Sequence, residues 1–401
     1  MNFDKNYRFK IQYGMSLVEL LVALVIGLVV SLAIYGVLTA SEGRKRTTTS
    51  INDIDKAGTF ALFQLDQVLR SAGSGLVGGI NSGSGIQAAS YTIGCQINAA
   101  NNGTQVLPAP ATLPAPFDAL PAPLNANPVN FRLAPAIIMD AAAGAGGDVL
   151  MVMSGSGGLS ETPSKFSAVP TSSTFNVKTV AGFNAGDIAL VARAPSATAV
   201  SPCLIEQISS ALVPAAGTSI VPLSGQFYQA TVNGLALTSY PVTAVALNLG
   251  KDPVFNLFAV GSNNTLFKYD LLKASTLATV NDPNPSPFVD SVFQMHALYG
   301  VYTTPGVVST LAWVAPTGAY SATSLLAGTP AASATLMNIK AIKVGLVLRS
   351  SLLEKDTVSA NKITLFGSTG ATKVDIDLTA LNYRYRTVEV TVPLRNALML
   401  K

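Results

Sequence analysis

The sequence predicts an α+β protein in which a long N-terminal hydrophobic helix packs on a large antiparallel β domain. Three observations carry that reading. Leu20 to Leu38 is a run of 19 residues without a charge. A stripe at helical spacing continues from there to Ala72. Strand-like runs separated by turn residues fill the remainder, and no second convincing amphipathic helix alternates with them, which favours an antiparallel arrangement over a βαβ repeat.

Composition narrows the class. The chain has 401 residues, 49% of them hydrophobic and only 11% charged, against roughly 25% charged in an average soluble protein. A charge-driven disordered chain is excluded. The balance of 25 Lys+Arg against 21 Asp+Glu leaves a net charge of +4, too little for a strongly basic nucleic-acid binder. Only one stretch is long enough to span a bilayer, so a polytopic membrane protein is excluded as well. The remaining hydrophobicity is Ala and Val spread among Gly, Ser, Thr and Pro, a composition that suits an extracytoplasmic protein in contact with neighbours.

The first helix begins at the apolar run. At 1.5 Å per residue Leu20–Leu38 covers about 28 Å, close to the ~30 Å hydrocarbon core. A secretory signal would have a shorter apolar core followed by its cleavage site. Here a short basic leader (Lys5, Arg8, Lys10) is followed by Tyr13-Gly14 and then MSLVELLVALVIGL. Glu19 is the one charge inside the apolar region, and a carboxylate at mid-bilayer costs on the order of 2.5–3.5 kcal/mol, somewhat less near a helix end. It therefore needs a partner. Arg44, Lys45 and Arg46 follow the run and suit lipid headgroups better than DNA. Basic residues flank both ends, so charge alone does not set the orientation.

Beyond the membrane segment, Ile51, Ile54, Ala57, Ala61, Leu65, Val68 and Ala72 recur at three- and four-residue steps. No Pro interrupts Met15 to Ala72, and Gly73-Ser74-Gly75 supplies the stop. Gly27, Gly36, Gly43 and Gly58 weaken the helix locally or allow close packing. The segment from Val106 to Pro128 repeats Pro-Ala units and reads as a loose, polyproline-like loop. Asp148–Met153, Asp187–Ala192, Val254–Val260, Val292–Tyr302, Ile339–Arg349 and Tyr383–Leu394 read as strands. The last places Val388, Val390, Val392 and Leu394 on one face, with Thr387, Glu389 and Thr391 on the other.

The junction at residues 14–19 resembles the type IV prepilin signature: a basic leader, a Gly, an apolar first mature residue and Glu at the fifth mature position. Gly14 would be the last leader residue, Met15 the new, N-methylated amino terminus, and Glu19 the acid that pairs with a neighbouring subunit's amino terminus to set register. The family usually has Phe where this chain has Met15. An uncleaved signal anchor with an incidental Glu is the competing reading. Further segments resemble the PilW-type minor pilins: KAGTFALFQLDQVLRSAG from Lys56, GFNAGDIALVA from Gly182, ALYGVY from Ala297, IKAIKVGLVLRSS from Ile339 and RYRTVEVTVPLRN from Arg384. The likeness departs after Ala72-Gly73, where a Gly/Ser insertion precedes Gly94-Cys95 instead of an early Gly-Cys.

The resemblance implies a leader (1–14), a long helix (15–72) with a transmembrane half at about 17–38, and a β-rich domain (73–401) held in the periplasm or outside the cell. It implies a single-pass inner-membrane subunit that enters a type IV pilus and helps its assembly by packing and register, with no covalent chemistry. Expected partners are other minor and major pilins, the prepilin peptidase, the inner-membrane assembly platform and membrane lipid, with no nucleic acid. A minor pseudopilin of type II secretion shares the same amino-terminal physics. A membrane-tethered periplasmic enzyme or adhesin is a third reading.

Chemistry has few candidates. His296 is the only His, and as a general base it would need Asp290 or Asp282 to orient it; an ordinary half-buried strand residue is the simpler reading. No G-x-S-x-G elbow is present, and Ser154 to Gly158 reads as a turn. Asp282, Asn284, Ser286 and Asp290 offer oxygens, but prolines interrupt them and no EF-hand pattern exists. Some pilin-like proteins bind calcium in loops; no metal or cofactor is expected here. Gly73, Gly75, Gly78 and Gly79 follow a helix instead of opening one, so they form no phosphate loop. Two cysteines, Cys95 and Cys203, lie on the side assigned to an oxidising compartment, and parity plus location predict one intramolecular disulfide. It would close a loop of 108 positions, worth about 4–5 kcal/mol in the chain-entropy model.

Overall fold

The computed structural model describes residues 14, 16–76, 92–110, 112–121, 124, 128–142, 146–156, 163–194, 196, 199–215, 217–273, 285–303, 310–367 and 369–398. Two compact units divide at residue 53, inside helix α1 (Leu17–Ser71).

In the first unit α1 begins at a sequence-encoded cap. The Glu19 amide donates to the Ser16 hydroxyl at 3.2 Å and to the Ser16 carbonyl at 3.0 Å, which satisfies a helix-end donor that would otherwise stay unpaired. The side chains from Leu17 to Leu38 are exposed around the whole helix, Leu17 by 79% and Leu28 by 63%. The few hydroxyls bond backward along the helix, Ser31 to the Gly27 carbonyl at 2.7 Å and Thr39 to those of Tyr35 and Gly36. A polar group is thereby satisfied within its own helix, which is what hydrocarbon requires.

The second unit holds the sheets. Its strands are β1 (Ile97–Asn101), β2 (Thr104–Leu107), β3 (Ala136–Met139), β4 (Val149–Ser154), β5 (Ser164–Lys165), β6 (Thr174–Asn176), β7 (Ile188–Ala192) and β8 (Cys203–Gln207). They continue with β9 (Ile220–Pro222), β10 (Thr231–Val232), β11 (Leu235–Ala236), β12 (Val245–Gly250), β13 (Val254–Val260), β14 (Thr265–Asp270) and β15 (Ser286–Asp290). The last group is β16 (Val292–Tyr302), β17 (Leu311–Val314), β18 (Ile339–Arg349), β19 (Lys362–Leu365), β20 (Val374–Asp377) and β21 (Tyr385–Pro393). Helices α2 (Ala322–Leu325) and α3 (Pro330–Met337) lie between β17 and β18, and α4 (Arg395–Leu398) follows β21. The larger sheets have the orders β2-β1-β8-β7-β12-β5, β15-β14-β13-β4-β3 and β17-β16-β18-β21. Every pairing is antiparallel except β1 with β8.

The final turns of α1 bury Ile54, Gly58, Ala61, Leu65 and Leu69, a stripe at helical spacing. Each fully buried aliphatic in it contributes about 1.5–3 kcal/mol relative to exposure. Gly58 has a packing reason: a Cβ there would run into Leu348 of β18 and lie 3.4 Å from Val388 of β21. Ile342, Val344, Leu346, Leu348 and Val392 belong to the same core as this stripe. The opposite face of the sheet, with Leu298 and Val347, is covered by Leu365, Phe366 and Ile376 of the β19–β20 hairpin and its turn.

One expectation needs correction. The Pro-Ala segment is not loose: Leu107, Leu113, Phe117, Leu120 and Leu124 are all buried in the main core, because the apolar residues between the prolines anchor a chain that has little backbone freedom to lose. The short helix α3 is started by Thr329, which accepts from the Ala332 amide at 3.2 Å, with Pro330 in its first turn. Its apolar residues do not form a clear stripe, so periodicity passes over it. Asn81 to Gly85 lies outside the described residues.

One buried acid works against the fold. Glu206 of β8 is fully buried, its Oε1 has no hydrogen-bond partner, and its Oε2 accepts only the Gln229 amide at 3.3 Å. Burial pushes the Glu206 carboxyl up to about 8. The native state therefore binds a proton that the unfolded chain releases near its ordinary value of 4.5. The stability this group contributes is fully present below that value and is lost as pH rises through about 8. Glu206→Gln should leave the midpoint of thermal unfolding unchanged at pH 4 and raise it progressively towards pH 8, by up to a few kcal/mol of stability; scanning calorimetry across that range measures the difference.

Candidate functional site

The sequence places a processing and register site in the amino-terminal elements. Gly14 is exposed, and a Cβ there would meet nothing. Met15 and the basic leader residues Lys5, Arg8 and Lys10 lie outside the described residues. Glu19 is the third residue of α1 and exposed, where a carboxylate also faces the positive end of the helix dipole. The S-x-x-E spacing of Ser16 and Glu19 is a helix-start signature that the prepilin reading passed over. By length and composition α1 is the one helix among the described residues able to cross a membrane.

Within the second unit, the carboxyl end of α1 is fastened to the sheets by residues that sequence reasoning did not single out. Asn396 of α4 donates its side-chain amide to the carbonyls of Ser71 and Ala72 at 3.3 and 3.1 Å, which pairs helix-end acceptors with a side chain. Lys340 of β18 donates to the Ala397 carbonyl at 2.7 Å and lies 5.4 Å from the centre of the Tyr302 ring; burial lowers its ammonium to about 8. The chain leaves the helix through Gly73, whose amide donates to Met153 of β4 at 2.8 Å and whose φ of +78° favours glycine. Arg386 of β21 lies 3.6 Å from Asp55. An exposed pair of this kind adds little.

His296 lies in β16, 9% exposed. Its partner is not Asp290, and Asp282 lies outside the described residues. Its Nδ1 is 3.4 Å from Asp148 and its Nε2 is 3.3 Å from Gln294 Oε1. Asp148 also accepts the amides of Ala297 at 2.8 Å and Ala141 at 3.2 Å, so this carboxylate ties β16 to the chain flanking β4. Asp290 instead accepts from the Thr265 hydroxyl at 2.9 Å. The reason for the change is long-range: Asp148 and His296 are 148 residues apart and meet only where two sheets join. Nothing in the local sequence marks that pairing. With Gln294 on the far ring nitrogen, the His ties neighbouring strands, and no hydroxyl among the described residues is bonded to it.

Asp282 and Asn284 lie outside the described residues, while the Ser286 hydroxyl donates to the Lys268 carbonyl at 3.1 Å. Among the described residues no cluster of three or more His, Cys, Asp or Glu is arranged to hold a metal ion. Ser154 ends β4 and Ser156 bonds the Leu249 carbonyl at 3.3 Å; Gly157, Gly158, Gly78 and Gly79 lie outside the described residues.

Cys95 and Cys203 are joined by a disulfide with a Cα–Cα distance of 5.7 Å. Both are fully buried. The bridge sits beside the parallel pair of β1 and β8, where Ile97 is in register with Cys203 and the Cys203 amide donates to the Gln96 carbonyl at 2.8 Å. Parallel neighbours need a long crossover, and here the covalent link closes it.

A helix with an exposed apolar first half, whose last turns pack on an antiparallel four-stranded sheet, fits a membrane-anchored protein of the pilin class. The comparisons make the class more specific. The family of type IV pilus-assembly protein W matches residues 257–396, and the prokaryotic N-terminal methylation motif matches residues 9–35. The first match runs from β13 to α4 and so includes the sheet that receives α1; the second contains Gly14, Glu19 and most of the apolar run. Together they support a PilW-type minor pilin with a prepilin motif. No curated protein and no solved structure matches the chain.

The disulfide is checked by peptide mapping without reduction. Protein exported to an oxidising compartment should yield one linked peptide pair containing Cys95 and Cys203. Cys95→Ser with Cys203→Ser should lower stability by about 2–5 kcal/mol. Recovery of two free thiols, or of linkage between separate chains alone, is the contrary result.

Proposed function

We propose that this chain is a low-copy subunit of a type IV pilus, stored in the inner membrane through Leu17–Leu38 with the β domain on the periplasmic side, and drawn from there into the filament. The observation that carries the proposal is the coincidence of two matches with one structural division. The methylation motif covers the start of α1, where the apolar side chains are exposed all round, and the pilus-assembly match covers the sheet on which the last turns of α1 are buried. The work of such a subunit is packing and register. Lipid first covers the apolar surface of Leu17–Leu38, and the helices of neighbouring pilins cover it after extraction. Exchange of one apolar surround for another costs little, so direction comes from charge and from close packing.

In this proposal the prepilin peptidase cuts after Gly14, Met15 becomes the methylated amino terminus, and Glu19 meets the ammonium of a neighbour. A carboxylate left alone in hydrocarbon is costly and a close opposite charge relieves that cost, so the pair rewards one axial offset between subunits. The other minor and major pilins and the assembly platform are the partners. The β domain selects which subunits stand beside it.

Two measurements test this. Intact mass of the chain from cells with an active prepilin peptidase should correspond to a mature form beginning at Met15, with the leader removed; a single species retaining Lys5, Arg8 and Lys10 contradicts the cleavage. Glu19→Ala should insert into the membrane at the normal level yet enter sheared pili at least tenfold less, by quantitative immunoblotting. Undiminished incorporation contradicts the register role.

A further inference from the structure

Among the described residues, the sheet that receives α1 leaves its last strand open. β21 is nine residues long and pairs on one side only, with β18. The Leu394 amide donates to Lys340 and the Ser350 amide donates to Arg384, so even-numbered residues of β21 turn their backbone groups to β18. The odd-numbered residues Tyr385, Thr387, Glu389 and Thr391 consequently point theirs to the open side. Thr387, Glu389 and Thr391 are also exposed. No register shift interrupts the pairing of β21 with β18. The other long-sheet edges are shorter or interrupted: β5 has two residues, β2 and β3 have four, and β15 carries Pro287 inside it and a shifted register, whereas the one proline of β21, Pro393, stands at its last position.

The opposite edge of the same sheet is β17. The Thr303 amide donates to Thr310, so 310, 312 and 314 bond β16 while Leu311 and Trp313 present their backbone groups outward. Strand polarity follows from the alternating pairings: β17 runs antiparallel to β21. The side chains agree as well. Ala312 and Val314 lie on the face of the main core, as do Val388 and Val390, whereas Trp313 lies on the hairpin face with Tyr385.

We infer that the open edge of β21 takes β17 of a second copy of this chain, continuing the sheet from one subunit into the next. Directly opposed residues of an antiparallel pair share a face, and the outward residues of both edges are on the hairpin face, so the join keeps the α1 segments on one side. It also keeps them parallel. Asp55 lies beside Arg386 and Ser71 beside Asn396, so this part of α1 runs with β21. Pairing β21 with another β21 would turn one helix end for end. The choice of β17 thus rests on the proposed common membrane anchor, under which all copies point the same way. The register that opposes Glu389 to Trp313 adds charge complementarity. The Lys343 ammonium lies 4.6 Å over the Trp313 ring, and Glu389 accepts the Phe366 amide with Oε1 only, leaving Oε2 for it. The contact is head-to-tail and does not close on itself.

The test uses the full-length chain in detergent micelles. Labelled (¹⁵N) and unlabelled copies are mixed and treated with a carbodiimide, and the Glu389–Lys343 amide is sought between copies by mass spectrometry. The expected result is that mixed-label link, with dimers and longer species in sedimentation. Thr387→Pro and Leu311→Pro each remove an amide that faces the open side, so the ladders to β18 and β16 survive. Each variant alone should lose the link and sediment as a monomer with its thermal midpoint kept; mixed together they should form dimers that extend no further. A wild-type chain that stays monomeric and unlinked overturns the inference. So does a β21–β21 link, or association unchanged in folded Thr387→Pro. The wild-type link is read without either variant, so it decides the matter even if a proline variant does not fold. Leader removal is read by intact mass on the same preparation: a processed but monomeric chain refutes the edge pairing and leaves the proposed function standing, and a paired but unprocessed chain does the reverse.

Discussion

The burial of the last turns of α1 on the four-stranded sheet is the contact on which the rest of this protein depends. Ile54, Ala61, Leu65 and Leu69 are each almost completely buried, and Gly58 lets the helix approach Leu348 and Val388 more closely than any side chain would allow. One continuous helix therefore has two solvents. Its beginning has apolar residues on every side and belongs with lipid or other helices, while its end has one apolar stripe and belongs with a sheet.

The surrounding polar groups make that contact hard to undo. Asn396 pairs with the carbonyls that α1 leaves at its end, and Lys340 holds the short helix that carries Asn396. A buried ammonium is expensive to desolvate, and here helix-end carbonyl oxygen and an aromatic face offset part of that cost. The chain's last helix thus returns to the point where its first helix ends. Asp148 plays a similar part between sheets, accepting two amides while lying beside His296. These are structural uses of residue types that elsewhere do chemistry, and each is spent on holding an element in place.

The most informative disagreements between sequence and structure lie in segments whose signal is compositional. Repeated Pro-Ala units suggest an extended, solvated loop, yet Phe117 and four leucines in that segment are buried. Proline limits what a segment can pair with through its backbone and says nothing against burying the side chains between prolines. Helix α3 shows the converse: its start is written plainly in Thr329-Pro330, but eight residues without a polar face give periodicity nothing to detect. Ser16 and Glu19 spell a helix start, and Glu19 is also the register acid of the prepilin signature; the two readings share Glu19 and do not conflict.

By itself the sequence determined the features that depend on neighbours in the chain. These are an apolar run long enough to span a bilayer, the offset of Gly14 and Glu19 from its start, the helical stripe to Leu69, and the alternation that makes Tyr385–Pro393 a two-faced strand. Each follows from a period of 3.6 or 2 residues, or from a count along the chain. Tertiary structure alone decided what else meets across long separations: Asp148 with His296, Asn396 with the end of α1, and which strands are left at the edges of their sheets. Strand order and register are set by which hydrophobic faces close on each other, a competition among all segments at once, and local pattern carries no record of its outcome.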